Sequence, residues 1–397
     1  MKVLVITDSS MNVNQGGFQQ TLYNIFLFLN PKDLFLVTSL QAYSISPPSA
    51  PFDKQVLTYN LEIIPIQYNR LGRFLNGFIN RINRSAHQYF NRFKKLQSSI
   101  KSLDADVVVV APNGADGVFI YQQLKGAFSN KKVFPYFMDD WLYQTKSKPA
   151  GVSIHAAAKE LLSDHLSWLM ISKNLADILA ERYSIKPERV LSIHNPVNID
   201  GIEPPIPVVQ KSRYTIAYAG ALWPMHFDAF LVMAKAIEIL NKEIKIRLIV
   251  YTSQSNWDWR KEKLESLDVE FGGHIPYAQI HSTLAKADCL LITSSFTKEW
   301  QTHSKGSVQT KITDYLKAGR LIISCGPTYS ANHDFLKKYN CGVCIETNNT
   351  DEVATALKNI FEHIELNQTF VQHGYKILTT EFSFEVVQDR LKQFLAA

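Results

Sequence analysis

Short runs of β-branched and apolar residues alternate with amphipathic helical stretches from one end of the chain to the other. That alternation predicts parallel sheets covered by helices on both faces. In the first half, strands are expected at Val3–Thr7, Leu34–Thr38, Val107–Val110, Val133–Met138, Leu166–Ile171 and Val190–Ile193. Between Gly17 and Asn30, Phe18, Leu22, Ile25, Phe26 and Leu29 keep the spacing of a buried helical face. Ser172 reads as the N-cap of a helix running to Tyr183.

The alternation breaks between Asn195 and Arg213, where Pro196, Pro204, Pro205, Pro207 and Gly201 mark a linker. A second series follows, with strands at Thr215–Ala219, Lys245–Tyr251, Cys289–Thr293, Leu321–Ser324 and Gly342–Ile345. Its helices include one ending near Asn241, and others at Thr350–Ile364 and Phe384–Leu395. The expected architecture is α/β: two doubly wound, Rossmann-like lobes with a cleft between them. The lobes span 1–197 and 214–378, joined by a linker at 198–213, with 379–397 as a closing segment.

At 397 residues and 46% apolar, the chain has enough material for two cores, which excludes disordered, collagen-like and coiled-coil classes. No apolar run reaches 18 residues, so no transmembrane helix is expected. MKVLVITDSS reads as a first strand rather than a signal peptide, and four cysteines in so long a chain point to a reducing cytosol.

The net charge of +6 is unevenly placed. Residues 1–198 carry 21 Lys+Arg against 14 Asp+Glu, whereas 199–397 carry 21 against 22. Ile63 to Leu103 contain no acidic side chain, and Arg70, Arg73, Arg81, Arg84, Arg92 and Lys95 recur at spacings of 3, 8, 3, 8 and 3. On a helix these six fall within an arc of roughly 100°. Such a face suits anionic lipid headgroups or an acceptor's phosphate. The alternative is a core-packing helix whose solvated side happens to be basic. No nucleic-acid-binding module is present.

Two segments carry candidate chemistry. Gly16-Gly17, between the first strand and first helix, lets backbone N–H groups approach a phosphate, although an ordinary tight turn reads the same way. In Ser307-Val-Gln-Thr310-Lys311-Ile-Thr-Asp314-Tyr-Leu-Lys-Ala-Gly319, Thr310, Lys311 and Asp314 fall at a helix start. There a lysine can neutralise a diphosphate and a carboxylate can accept from two ribose hydroxyls. A capped surface helix is the alternative. Cys341-Gly-Val-Cys344 lacks the second pair a zinc site needs and reads as core; Asp104 and Asp106 read as loop residues and His194 as structural. No metal site is expected.

Several segments together resemble retaining GT-B-fold glycosyltransferases of the family 4 type, which build bacterial polysaccharides and glycolipids. They are the strand–GlyGly–helix start, IHNPVNID, IAYAGAL, FGGHIPYAQIHSTLAKADCLLITSSF, TKITDYLKAGRLIISCGP and the closing FSFEVVQDRLKQFL. The resemblance implies that Gly16 and Gly17 approach the donor diphosphate and the acceptor, and that Gly220 lies beside the phosphates. It places His274 and Ile275 against the nucleobase, Thr310 and Lys311 near the diphosphate, and Asp314 at the ribose. It also implies that the closing helix returns to the first lobe, and that the reaction needs no cofactor or metal.

The departures concern chemistry. Gly306 stands where the family has a first Glu, with Glu299 the nearest acid upstream. The Arg and Lys that often follow the second-lobe glycine are absent from 221–228, leaving Lys311, and secondarily His226 or His303, to supply charge. A first-lobe His is replaced in Tyr136-Phe-Met-Asp139-Asp140-Trp141, so Asp139 or Asp140 is expected to orient or deprotonate the acceptor hydroxyl. The expected activity is metal-independent hexosyl transfer from a nucleotide-diphosphate sugar to a saccharide or lipid-linked acceptor. The protein is expected in the cytoplasm, on the inner face of the cell membrane if the basic face docks there. A nucleotide-sugar epimerase and a non-catalytic binding protein on the same fold are the alternatives.

Overall fold

The computed structural model describes residues 1–62, 78–79, 82–86, 93–145, 151–205, 207 and 209–397. The chain divides into two compact units, Met1–Ile193 with Arg390–Ala397, and His194–Asp389.

Unit 1 is built on seven parallel strands: β1 (Val3–Thr7), β2 (Leu34–Ser39), β3 (Val56–Tyr59), β4 (Val107–Ala111), β5 (Lys132–Phe137), β6 (Ser167–Met170) and β7 (Arg189–Ser192). Their order is β3-β2-β1-β4-β5-β6-β7. β1 and β4 are buried at every position, which explains why they read as unbroken apolar runs. Asp104 and Asp106 anchor the chain start: Lys2 Nζ donates to Asp104 at 2.7 Å and Lys2 N to Asp106 at 2.7 Å. Ser172 caps the helix Lys173–Tyr183, its hydroxyl accepting from Leu175 N at 3.0 Å. The last residues of the helix Phe384–Ala396 close the unit. Phe394 packs on Phe134 at 5.8 Å between ring centroids and lies under the Arg189 guanidinium at 4.6 Å.

Unit 2 carries six parallel strands: β8 (Arg213–Ala219), β9 (Lys245–Tyr251), β10 (Glu270–Gly273), β11 (Cys289–Thr293), β12 (Leu321–Cys325) and β13 (Val343–Ile345). Their order is β10-β9-β8-β11-β12-β13. Side chains alternate between two cores, as the period of a strand requires. Tyr214, Ile216 and Tyr218 of β8 join the helices Pro224–Leu240 and Thr350–Glu362 on one face. Ala217 and Ala219 join Ile312, Tyr315 and Leu378 on the other. Cys341 lies in that second core with Cys344 packed against it, and both thiols are pushed up to about 12 by burial. His194 sits edge-on to Phe335 and Phe382, and burial lowers its pKa to about 4, so it serves packing.

The two-sheet α/β architecture agrees with the sequence reading. Two strands escaped it, β3 and β10. Both lie at sheet edges and are only partly buried, so neither presents an unbroken apolar run.

Candidate functional site

Where the order of a parallel sheet reverses, the loops leaving the two central strands diverge and open a crevice at the strand carboxyl ends. The reversal lies between β8 and β11 in unit 2 and between β1 and β4 in unit 1.

In unit 2, β8 runs into Gly220, which has φ +126°, a conformation that side-chain-bearing residues rarely adopt. A Cβ at this position would lie 3.4 Å from Lys311 Nζ. Lys311 opens the helix Lys311–Lys317, and Tyr315 one turn later fixes that helix to β8 by accepting a bond from Ala219 N at 2.8 Å. The Lys311 ammonium has no hydrogen-bond acceptor among the described residues and lies 3.6 Å from the centroid of the Tyr218 ring. The ring face offers partial compensation for lost hydration. Burial nevertheless pulls the pKa of Lys311 down to about 7. An anion brought to Gly220 would restore the full charge.

His226 adjoins this lysine. Its Nδ1 donates to the Thr293 carbonyl at 3.0 Å, a carbonyl that also accepts from Gln309 Nε2 at 2.7 Å. Burial, then the charge of Lys311, depresses its pKa well below the usual histidine range. The expectation that His226 supplies positive charge is therefore corrected: it is a neutral hydrogen-bonding group. The His303 ring lies beside it at a tilt of 57°, with ring centroids 6.1 Å apart.

Asp314, buried in the same helix, faces His281, with Oδ1 3.1 Å from Nε2. The fold thus directs Lys311 to Gly220 and Asp314 to His281. Thr310 precedes the helix without a side-chain cap bond. His274 is exposed and Ile275 partly buried after β10, where Gly273 has φ +79° and its carbonyl accepts from Thr252 N at 2.9 Å. Gly306 is buried and Glu299 exposed. Sequence reasoning missed His281, which stands 33 residues before its partner and meets it only through the fold.

In unit 1, Gly16 is exposed at the start of the helix Gly17–Ile25 with φ −62°, so its conformation alone does not demand glycine. Asp8 follows β1 and receives Asn113 N, from the loop after β4, at 2.7 Å. Gly117 permits this approach, because a Cβ there would lie 2.6 Å from Pro112 Cα and 2.8 Å from Asp8 Oδ1. Burial pushes the Asp8 carboxyl up to about 7, against the lowering effect of the Asn113 bond. Sequence reasoning missed Asp8; an acid directly after a buried strand at the point of reversal was the available signal.

Asp139 and Asp140, after β5, separate in role. Asp139 is partly buried. Asp140 is fully buried and accepts both Arg182 Nη1 and Nη2, at 2.6 and 2.5 Å. A carboxylate so engaged is not available as an acceptor-side base, and the expectation for Asp140 is corrected on that ground. Arg84 is corrected likewise. Its side chain is 18% exposed and bonded to Asp116 at 2.6 Å, so it is turned into unit 1 rather than out to a membrane. Lys95 is exposed on the helix Lys94–Lys101. Arg70, Arg73, Arg81 and Arg92 lie outside the described residues. Among the described residues, no helix is long and apolar enough to cross a membrane.

Residues 213–363 match the family model described as Glycosyl transferases group 1. No curated protein sequence matches the chain. HepE of Anabaena, solved in complex with UDP and glucose, superposes with a TM-score of 0.69 over 100% of both chains at 12% identity. Sucrose-phosphate synthase from Thermosynechococcus elongatus gives 0.70 at 14% identity, covering 99% of this chain and 98% of its own. A glycosyltransferase from Rickettsia africae gives 0.68 at 15%, with the same coverage. These similarities establish the GT-B fold, and the stretch similar to the group 1 model lies within unit 2.

Proposed function

We propose that the protein is a glycosyltransferase that moves a sugar from a nucleoside-diphosphate sugar to a saccharide or lipid-linked acceptor. The observation that carries this reading is the buried Lys311 ammonium, without a hydrogen-bond partner among the described residues, against Gly220 at the reversal of the unit 2 sheet. Uridine is the favoured base, because HepE was solved with UDP and with UDP-glucose.

In this reading the diphosphate lies over Gly220 and keeps Lys311 protonated. The lysine then stabilises the negative charge that develops as the glycosidic bond breaks. This charge stabilisation comes from the protein, and the reaction is proposed to run without a metal ion. Asp314, oriented by His281, accepts from the ribose hydroxyls, and Ile275 and His274 border the base. Asp139 orients the acceptor hydroxyl, with Gly16 and Gly17 leaving room for the substrates. Retention of anomeric configuration is proposed from the resemblance to family 4. Peripheral attachment at the cytoplasmic membrane face is proposed from the basic segment. It is tested by co-sedimentation with anionic vesicles, which Lys95→Glu should weaken and which wild-type indifference would rule out.

A thermal-shift series with UDP, GDP, dTDP and ADP tests the donor reading. UDP should give the largest shift, and no shift with any of the four overturns the assignment. A second reading, a binding protein without catalysis, is favoured by the glycine at 306 and the committed carboxylate of Asp140. Release of UDP from UDP-glucose separates the two: slow hydrolysis supports the transferase, tight binding without release the binding protein.

A further inference from the structure

At the carboxyl ends of β1, β2 and β3 in unit 1 lies a pocket of about 90 Å³, lined in part by Asp8, Tyr59, Glu62, Asn83, Arg84 and Asp116. Among the described residues of the lining the charge is one-sided: Arg84, their one cation, is committed to Asp116 at 2.6 Å. The carboxylates of Asp8 and Glu62 have no ion-pair partner among the described residues. Tyr59 is buried and its hydroxyl already donates to the Thr7 carbonyl at 3.2 Å, which leaves its oxygen as an acceptor. Among the described residues acceptor atoms therefore outweigh uncommitted donors, and a ligand suited to them brings hydrogen-bond donors and no negative charge. The volume corresponds to about three water molecules. That is room for one edge of a sugar ring.

We propose that this pocket binds the donor-rich edge of a neutral or amino sugar, prefers an ammonium to a hydroxyl, and excludes phosphate. The inference rests on the sugar-transfer reading, in which this sugar belongs to the acceptor. The elevated pKa of Asp8, about 7, fits a carboxyl that ionises fully only when a cation or strong donor joins it.

The test is calorimetric titration of the full chain with glucosamine, glucose and glucose 6-phosphate, with UDP titrated separately. Glucosamine should bind at least tenfold more tightly than glucose, and glucose 6-phosphate should give no heat. Asp8→Asn and Glu62→Gln should each weaken glucosamine tenfold or more while leaving UDP affinity within twofold. Glu62 is partly exposed, so its variant guards against a mere folding defect at Asp8. The proposal is overturned if glucose 6-phosphate binds as well as glucosamine, if both variants bind glucosamine as wild type does, or if none of the three sugars binds. Failure of UDP alone would sink the donor reading and leave the pocket standing.

Discussion

The ammonium of Lys311 lies 3.6 Å from the centre of the Tyr218 ring, and no oxygen of the described residues accepts from it. A lysine held this way has lost hydration without gaining an ion pair, and its fate depends on what anion arrives. Charge-assisted hydrogen bonds contribute about 1.5–3 kcal/mol each, so one lost partner is measurable. Lys311→Met should weaken UDP binding by tenfold or more in calorimetry, with the melting temperature of the free protein unchanged or raised. Unaltered affinity would remove Lys311 from the donor site.

The same lysine makes binding pH-dependent. Above about 7 the free protein has lost the Lys311 proton, so binding a diphosphate requires proton uptake. UDP affinity should fall by up to tenfold per unit as pH rises from 7 to 9. The slope should vanish in Lys311→Met. A flat wild-type profile contradicts the assignment.

Stability should carry the opposite sign. The folded protein releases the Lys311 proton near 7, the unfolded chain near 10.5. Between these values the unfolded state holds the extra proton, so the lysine's contribution to stability improves with rising pH. Urea midpoints of wild type minus Lys311→Met should therefore increase from pH 7 to 9. A difference that stays constant would mean that the lysine remains charged.

If Asp314 reads the ribose, the sugar hydroxyls are decisive at this contact. Asp314→Ala should lower UDP affinity by roughly tenfold or more and abolish any preference for UDP over dUDP, since one hydrogen bond to a charged group is at stake. His281→Ala should reduce the same preference less. Retained discrimination in Asp314→Ala would assign the ribose elsewhere.

Asp140 and Arg182 form a buried bidentate pair, and removing one member leaves the other charged and alone. Arg182→Ala should cost about 3–5 kcal/mol in denaturant unfolding, and Arg182→Met combined with Asp140→Leu distinctly less. A stable Arg182→Ala protein would return Asp140 to consideration as a catalytic group.

The central strands were legible because burial on both sides writes an unbroken apolar run, as in Val107–Ala111. β3 and β10 were not, since an edge strand solvated along one side mixes polar and apolar residues without a clear period. Helical periodicity grouped Arg84 with outward-facing basic residues, but periodicity records only a direction around an axis. Asp116, contributed by a helix 32 residues later, decides where that side chain rests. Adjacent Asp139 and Asp140 looked interchangeable for the same reason, until Arg182 claimed one of them. The Lys311–Asp314 spacing could be read directly; the Tyr218 ring and the His281 imidazole could not, because only the packed sheet brings them near.

Phe134 and Arg189 of unit 1 both lean on Phe394, and the whole of unit 2, 194–389, is made between them and it. At about 5–20 residues per second, a ribosome spends roughly 10–40 s on that interval. The first unit to leave the exit tunnel is thus the last to be completed, with the apolar surface under Phe394 uncovered throughout the wait. Chaperone demand during synthesis should therefore fall on unit 1, while the contiguous unit 2 has all of its own residues as soon as it emerges.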